Sequence, residues 1–418
     1  MFRLVSRLKV VAAAGVLLSL VSPQSHAEAV DTSRLADAVK LLDFWIEEQI
    51  IHRNIPGLAV GFVHDQDLVW SKGYGFSDIA AQTSVTPDSI FRIGSITKLF
   101  TSTAIMQLRD NGRLRLDDPV NKYLPWFELK RNFEDNTPIT IRHLLTHTSG
   151  LPREAAFPYW TTHEFPSREE VRSVVPSQTA VYPPATRYKY SNLGMALLGE
   201  LVAEVSQEAY PDYIASHILD PLEMRHTSAA PTAQHRSRMV TRYMRRMSDG
   251  SRKIFDYYSM NGMAAAGDMV SNVHDMARFA ALQFRTGPAA ESEQVLKGSS
   301  LLEMQRPHWV YPSWTGGRGL GFGISHRDGK TFVSHGGWIG GSHTHLLMVP
   351  GEKMAVIAMV NADDGSPSFF SNEIYRVLGA ALAAAESPRP DAPQVRASWN
   401  RYLGSYSDPW GWEYKVVI

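Results

Sequence analysis

Strand-forming segments stand at both ends of this chain, separated from about residue 113 to 315 by helical and irregular pattern. Near the N-terminus, Gly57–Val63 and Leu68–Trp70 are apolar runs joined by the polar turn His64-Asp65-Gln66-Asp67, which is the pattern of a hairpin. Toward the other end Gly321–Ile324, Thr331–Val333, His343–Val349 and Met354–Asn361 read as strands again. Helical periodicity marks Ile96–Leu108, Asn192–Val205, Ser271–Phe284 and Ser366–Ala385. Strands this apolar must bury their faces together, so the two sets predict one sheet built from both chain ends with a mostly helical insertion.

Composition narrows the chemistry. The 418 residues hold 42 Lys plus Arg against 42 Asp plus Glu, so no net field draws the chain to nucleic acid or anionic membrane. A small molecule or peptide is the expected partner. There is no cysteine, which excludes thiol nucleophiles, thiolate zinc sites and disulfide scaffolds. Gly-x-Ser-x-Gly and His-Glu-x-x-His patterns and phosphate-cradling glycine loops are absent, which argues against an α/β-hydrolase or a zinc peptidase.

The first residues read as an export signal. Arg3, Arg7 and Lys9 precede the apolar run Val10–Val21, and Ser25-His26-Ala27 supplies small residues for cleavage after Ala27. The run is short for a transmembrane span, and the expectation is a periplasmic or secreted protein with no stable membrane span after cleavage. The catalytic-type domain then occupies 28–386. A Pro-rich linker (Ser387–Pro393) and a C-terminal segment fill 387–418.

Three short motifs carry chemistry. In Ser95-Ile96-Thr97-Lys98, placed at a helix start, residues three apart share a face, so Lys98 lies beside the Ser95 hydroxyl. A serine needs such a base, and a buried lysine driven toward neutrality can serve. The pattern alone is weak, since Ser6-Arg7-Leu8-Lys9 repeats it inside the leader. In Tyr190-Ser191-Asn192 a tyrosine able to pass protons is followed by an amide able to hold a substrate or the active-site lysine. The plain alternative is a packed Tyr190 and an Asn192 that caps the next helix. In His335-Gly336-Gly337, which follows a strand, glycines admit a ligand close to the backbone and His335 can move protons. The alternative is a glycine bulge beside an incidental histidine.

Taken in order, Ser-x-x-Lys, Tyr-x-Asn and His-x-Gly resemble the β-lactamase/penicillin-binding-protein superfamily, most of all the branch with class C β-lactamases, D,D-carboxypeptidases, D-aminopeptidases and esterases. Phe91–Ser95, Leu144–Leu151, Asp220–Met224 and Ala264–Met269 look like that family too, and the resemblance runs from about Val30 to Ala385. It implies an α/β (α+β) fold with an antiparallel sheet, helices around it and a cleft beside the helical region. It further implies that Ser95 is acylated, that Lys98 and Tyr190 share acid and base roles, and that Asn192 orients the substrate amide. The backbone N–H groups of Ser95 and Trp338 would form the oxyanion hole, with Gly336 and Gly337 bringing that strand close. No cofactor or metal is called for.

The chain departs from the pattern in three places. His335 stands where β-lactamases and peptidoglycan enzymes carry lysine, which favours an esterase or D-amino-acid peptidase over an efficient β-lactamase. Pro184-Ala185 and Leu222-Glu223 occur where the family often has glycine, read here as loop variation without chemical consequence. Tyr402–Tyr406 resembles the opening strand of a small C-terminal β domain. A D,D-carboxypeptidase would need another cation for the terminal carboxylate, with Arg306 and Arg318 as candidates. A non-catalytic sensor with the same fold is the remaining alternative. His143 and His147 are spaced for one helix face but lack a telling carboxylate for a metal site, and His343 and His345 read as a polar cleft wall.

Overall fold

A computed structural model describes residues 32–135, 137–286, 295–385, 397–407, 409 and 413–416. The expected leader (1–27) and Pro-rich linker (387–393) lie outside the described residues.

The strands, in chain order, are β1 (Gly57–His64), β2 (Asp67–Asp78), β3 (Thr83–Ser84), β4 (Phe91–Arg92) and β5 (Val270–Ser271). Then come β6 (Trp309–Val310), β7 (Gly316–Arg318), β8 (Gly323–Arg327), β9 (Lys330–Ile339), β10 (Ser342–Val349) and β11 (Met354–Val360). Nine of them form an antiparallel sheet in the order β3-β2-β1-β11-β10-β9-β8-β7-β6. The seam is β1 against β11, in register from Leu58↔Val360 to His64↔Met354. The sheet is therefore built from both chain ends, as the strand pattern predicts.

Helices cover both faces, so β11 is buried throughout and β1 up to Val63, which is why they read as unbroken apolar runs. Side chains alternate between two cores. Leu58, Val60, Phe62, Val356, Ala358 and Val360 face the helix Thr32–Arg53 and the C-terminal helices. Ala59, Val63, Ile357 and Met359 face the helix Val273–Leu282 and the core of the helical region.

Some features lie outside the sequence reading. The helix Thr32–Arg53 packs Leu42, Ile46 and Ile50 inward, at four-residue spacing. β6 and β7 extend the sheet from the stretch read as helical. β7 is hidden by its glycines, since a Cβ on Gly317 would fall 2.1 Å from Trp309 O. The helix expected over Ser366–Ala385 is interrupted by a π-turn at Tyr375–Gly379. At the C-terminus β12 (Gly404–Ser407) pairs with β13 (Glu413–Val416) as a hairpin.

Candidate active site

Ser95 lies in a 3-10 turn, Gly94–Ile96, that runs into the helix Thr97–Asp110. The turn is held from both sides. β4 pairs with β5, Ile93 N–H bonds Met269 O at 2.9 Å, and Thr344 Oγ1 of β10 donates to Ile93 O at 2.9 Å. Gly94 has φ of +52°, and a Cβ there would sit 2.7 Å from the Trp338 amide nitrogen, so glycine is required on both counts. β8 pairs with β9 only as far as Ser334. From His335 to Trp338 that edge of β9 has no strand partner among the described residues and crosses over the Ser95 turn.

Lys98 is fully buried, with Nζ 3.0 Å from Ser95 Oγ and 2.6 Å from Ala266 O. The three-residue spacing places serine and lysine together as expected. Burial pushes the ammonium well below the usual lysine range. The Glu154 charge opposes that shift, while Arg153 and Arg318 reinforce it. Nζ also lies 4.9 Å from the Tyr190 ring centroid.

Tyr190 precedes the helix Asn192–Ser206. Burial pushes its phenol up to about 12 against an opposing pull from its contact with Ser95, so it stays protonated at neutral pH. The helix cap falls on Ser191, whose Oγ accepts the Gly194 N–H at 2.9 Å, and not on Asn192. Asn192 is thus free to project into the cleft, but its Nδ2 donates to Glu154 Oε1 at 2.7 Å where the sequence suggested Lys98 as the partner. Glu154 also accepts the Tyr159 hydroxyl at 2.7 Å and pairs with Arg153 at 3.1 Å.

His335 is buried, and its Nδ1 lies 2.7 Å from Gly336 O, which fixes Nδ1 as the donor and leaves Nε2 as an acceptor without a partner. Burial, then Arg318 and Lys98, hold the imidazole well below its usual pKa, so it is neutral. The two glycines beside it differ. A Cβ on Gly337 would fall 1.9 Å from Ile93 O, whereas one on Gly336 would have nothing nearer than 3.8 Å. Close approach of β9 thus rests on Gly337 alone, a correction to the paired role expected of both. Trp338 is 45% exposed.

Of the two candidate cations, Arg306 is exposed and 3.6 Å from Glu303, away from the cleft lining. Arg318 reaches in. Its guanidinium lies 4.9 Å from the Tyr188 ring and 6.0 Å from the Tyr190 ring, and it makes no ion pair with any described residue.

These groups share one cleft of about 720 Å³, lined by Ser95, Tyr190, Asn192, His335, Gly336, Gly337 and Trp338 together with Arg153, Glu154, Tyr188 and Trp160. Glu154, Arg153 and Trp160 carry no motif spacing, so sequence reasoning passed over them. A buried pair beneath the cleft, Arg92 with Asp268, was within reach, because both residues fall in the family-like stretches. Asp268 also accepts the Met260 N–H at 3.1 Å, tying down the segment that carries Ala266 O.

His147 is buried against Tyr190, with ring centroids 4.4 Å apart, and its Nδ1 accepts the Ser191 N–H at 3.2 Å. His143 Nδ1 accepts the Thr140 N–H within a helix cap. Both serve local backbone, and no cluster of three metal-binding side chains occurs among the described residues. His343 lines the cleft and His345 bonds Ser371 at 2.6 Å, so only His343 forms part of a polar wall. Ala185 and Glu223, read as neutral loop variation, have φ of +59° and +54°, so each strains a position suited to glycine.

Comparisons with known proteins agree with the fold and point to its family. "Protein flp" of Staphylococcus aureus strain MW2 is 33% identical over 196 residues, 47% of this chain and 39% of its own length. The chain therefore matches well under half the length of that relative. "Penicillin-binding protein 4" of Amycolatopsis lactamdurans is 27% identical over 81% of this chain and 89% of its own. Among solved structures, the octameric penicillin-binding protein homologue from Pyrococcus abyssi superposes with a TM-score of 0.70 at 27% identity, covering 91% of this chain and 85% of its own. A D-stereospecific amidohydrolase from Streptomyces sp., at 24% identity and a TM-score of 0.65 over 82% of this chain and 98% of its own, shares the fold. The Beta-lactamase family model matches residues 42–381, and with the three motifs meeting in one cleft the chain belongs to that family of serine hydrolases.

Proposed function

We propose that this protein is an exported acyl-serine hydrolase that cleaves a neutral ester or amide, an esterase or D-amino-acid peptidase in preference to an efficient β-lactamase. The observation that carries this reading is the contact of 3.0 Å between Ser95 Oγ, at the floor of the cleft, and Nζ of the fully buried Lys98. Neutral Lys98 takes the Ser95 proton as Oγ attacks the carbonyl carbon. The backbone N–H groups of Ser95 and Trp338 face the oxyanion. Tyr190, protonated and beside both groups, passes the proton from Lys98 to the leaving group as the tetrahedral intermediate collapses. Water then enters on the same base and hydrolyses the acyl-Ser95. Asn192, held by Glu154, orients the acyl amide.

The neutral acceptor at His335 supports a substrate with a hydrogen-bond donor, rather than a carboxylate, at that position. Export rests on the N-terminal residues 1–27. A second reading, a D,D-carboxypeptidase or penicillin-binding protein of peptidoglycan metabolism, is favoured by Arg318, a guanidinium free to hold a terminal carboxylate, and by the penicillin-binding relatives.

Steady-state assays with p-nitrophenyl acetate, a D-alanine anilide, a D-Ala-D-Ala peptide and penicillin separate these readings. Turnover of the ester and anilide above the other two fits the first reading. Preference for the D-Ala-D-Ala peptide, with a KM that rises at least tenfold in Arg318→Gln, replaces it with the second. Folded protein that turns over none of them is a sensor.

A further inference from the structure

We infer that Trp160 and Trp338 form the wall of an acyl-group subsite, so that the substrate carries an aryl or medium-chain alkyl group on the acyl side of the scissile bond; this rests on the hydrolase reading above. The two indoles come from separate elements, one from the short helix Tyr159–Thr162 and one from β9. Their centroids stand 6.0 Å apart at 43°, too close to admit a ring between them but forming one aromatic wall. Met260 and Ile339 line the same cleft.

Both rings are held in place. Trp160 packs edge-on against Phe165 at 5.2 Å, and Phe165 stacks on Tyr159 at 4.5 Å. The Trp338 indole stands beside the Asp363 carboxyl, whose Oδ1 accepts the Gly341 N–H at 2.7 Å. An indole packed on Trp160, yet 45% exposed within a cleft, presents an apolar surface that nothing in the described protein covers.

Proton traffic decides which half of the substrate meets this wall. The leaving group must collect its proton where Tyr190 and Lys98 stand. That is the end of the cleft bearing Tyr188, His335 and Arg318. The acyl group extends the other way, past the Trp338 amide and along the indoles. Each methylene laid on such a wall strengthens transition-state binding until the wall is covered.

The test holds the leaving group constant and varies the acyl chain: p-nitrophenyl acetate, butyrate and hexanoate, with phenylacetate as the aryl case. The expected result is a kcat/KM for hexanoate and phenylacetate about tenfold or more above acetate. That ratio should collapse about tenfold in Trp160→Ala and stay within about twofold of wild type in Trp160→Phe, which keeps an aromatic ring. A flat chain-length series in wild-type protein that turns over acetate overturns the subsite. So does a ratio that Trp160→Ala leaves intact. Absence of turnover with all four esters, together with no covalent adduct on Ser95, would instead remove the hydrolase reading on which the subsite rests. A Trp160→Ala protein that fails to fold leaves the wild-type series and the Trp160→Leu variant, expected between Phe and Ala, to decide.

Discussion

Gly337→Ala is the sharpest structural test of how the site is assembled. The added Cβ would lie 1.9 Å from Ile93 O and 2.5 Å from Thr344 Oγ1, and Thr344 itself donates to Ile93 O. Neither partner can turn aside, because Ile93 O is main chain and Thr344 is buried in β10. Relief even to the tightest contact a Cβ tolerates, near 3.0 Å, requires β9 to withdraw from the Ser95 turn by about 1 Å. The Trp338 amide would move with it. A displacement of that size at reacting atoms costs about a hundredfold, as does loss of one oxyanion donor, which corresponds to about 2.7 kcal/mol in the barrier. Overpacking also destabilises the fold by about 1–3 kcal/mol. Gly336→Ala is the matched control, with no atom within 3.8 Å of its Cβ. The assay is kcat/KM on p-nitrophenyl acetate beside thermal melting. Gly337→Ala should lose at least about fiftyfold in kcat/KM and melt several degrees lower, while Gly336→Ala should melt within about a degree of wild type. A Gly337→Ala enzyme with wild-type rate and melting would refute the proposed seating of β9.

Three further outcomes follow from charge and backbone. The unfolded chain protonates Lys98 at neutral pH while the folded chain resists it, so this residue lowers stability, most strongly at and below neutral pH and less as pH rises toward the ordinary lysine value of 10.5. Lys98→Met should therefore raise the melting temperature at pH 7 while cutting turnover by several orders of magnitude. His147 and His335 are held neutral, so stability should fall as pH drops below about 6.5, by about 1.4 kcal/mol per pH unit for each imidazole, until their lowered folded-state values are reached. Urea unfolding at pH 7 and 5.5 checks this, and His147→Gln should shallow the slope. Ala185→Gly and Glu223→Gly should each stabilise by about 0.5–1 kcal/mol by relieving a left-handed backbone, and lower melting in both would contradict the strain.

Much of the fold was legible because its central strands are buried on both faces. β1 and β11 appear as apolar runs of strand length and β10 ends in one, and the bounds of all three match the structure to within a residue or so. β7 was hidden by its glycines, and the β4–β5 pairing that holds the Ser95 turn is two residues long, below what periodicity can register. The Ser95–Lys98 contact could be read because it is local. The hydrogen-bond partner of Asn192 and the charge that bears on His335 could not, because Glu154 and Arg318 arrive from distant loops and strands. The positive φ values of Ala185 and Glu223 were foreshadowed by the glycines expected there.

The most direct test of the account is intact-protein and peptide mass spectrometry after exposure to a fluorophosphonate and to penicillin. Acyl-serine catalysis predicts a single fluorophosphonate adduct mapped to Ser95, and none in a Ser95→Ala variant of unchanged melting temperature that also lacks turnover. An adduct on another residue, or Ser95→Ala protein that hydrolyses esters at the wild-type rate, would contradict it.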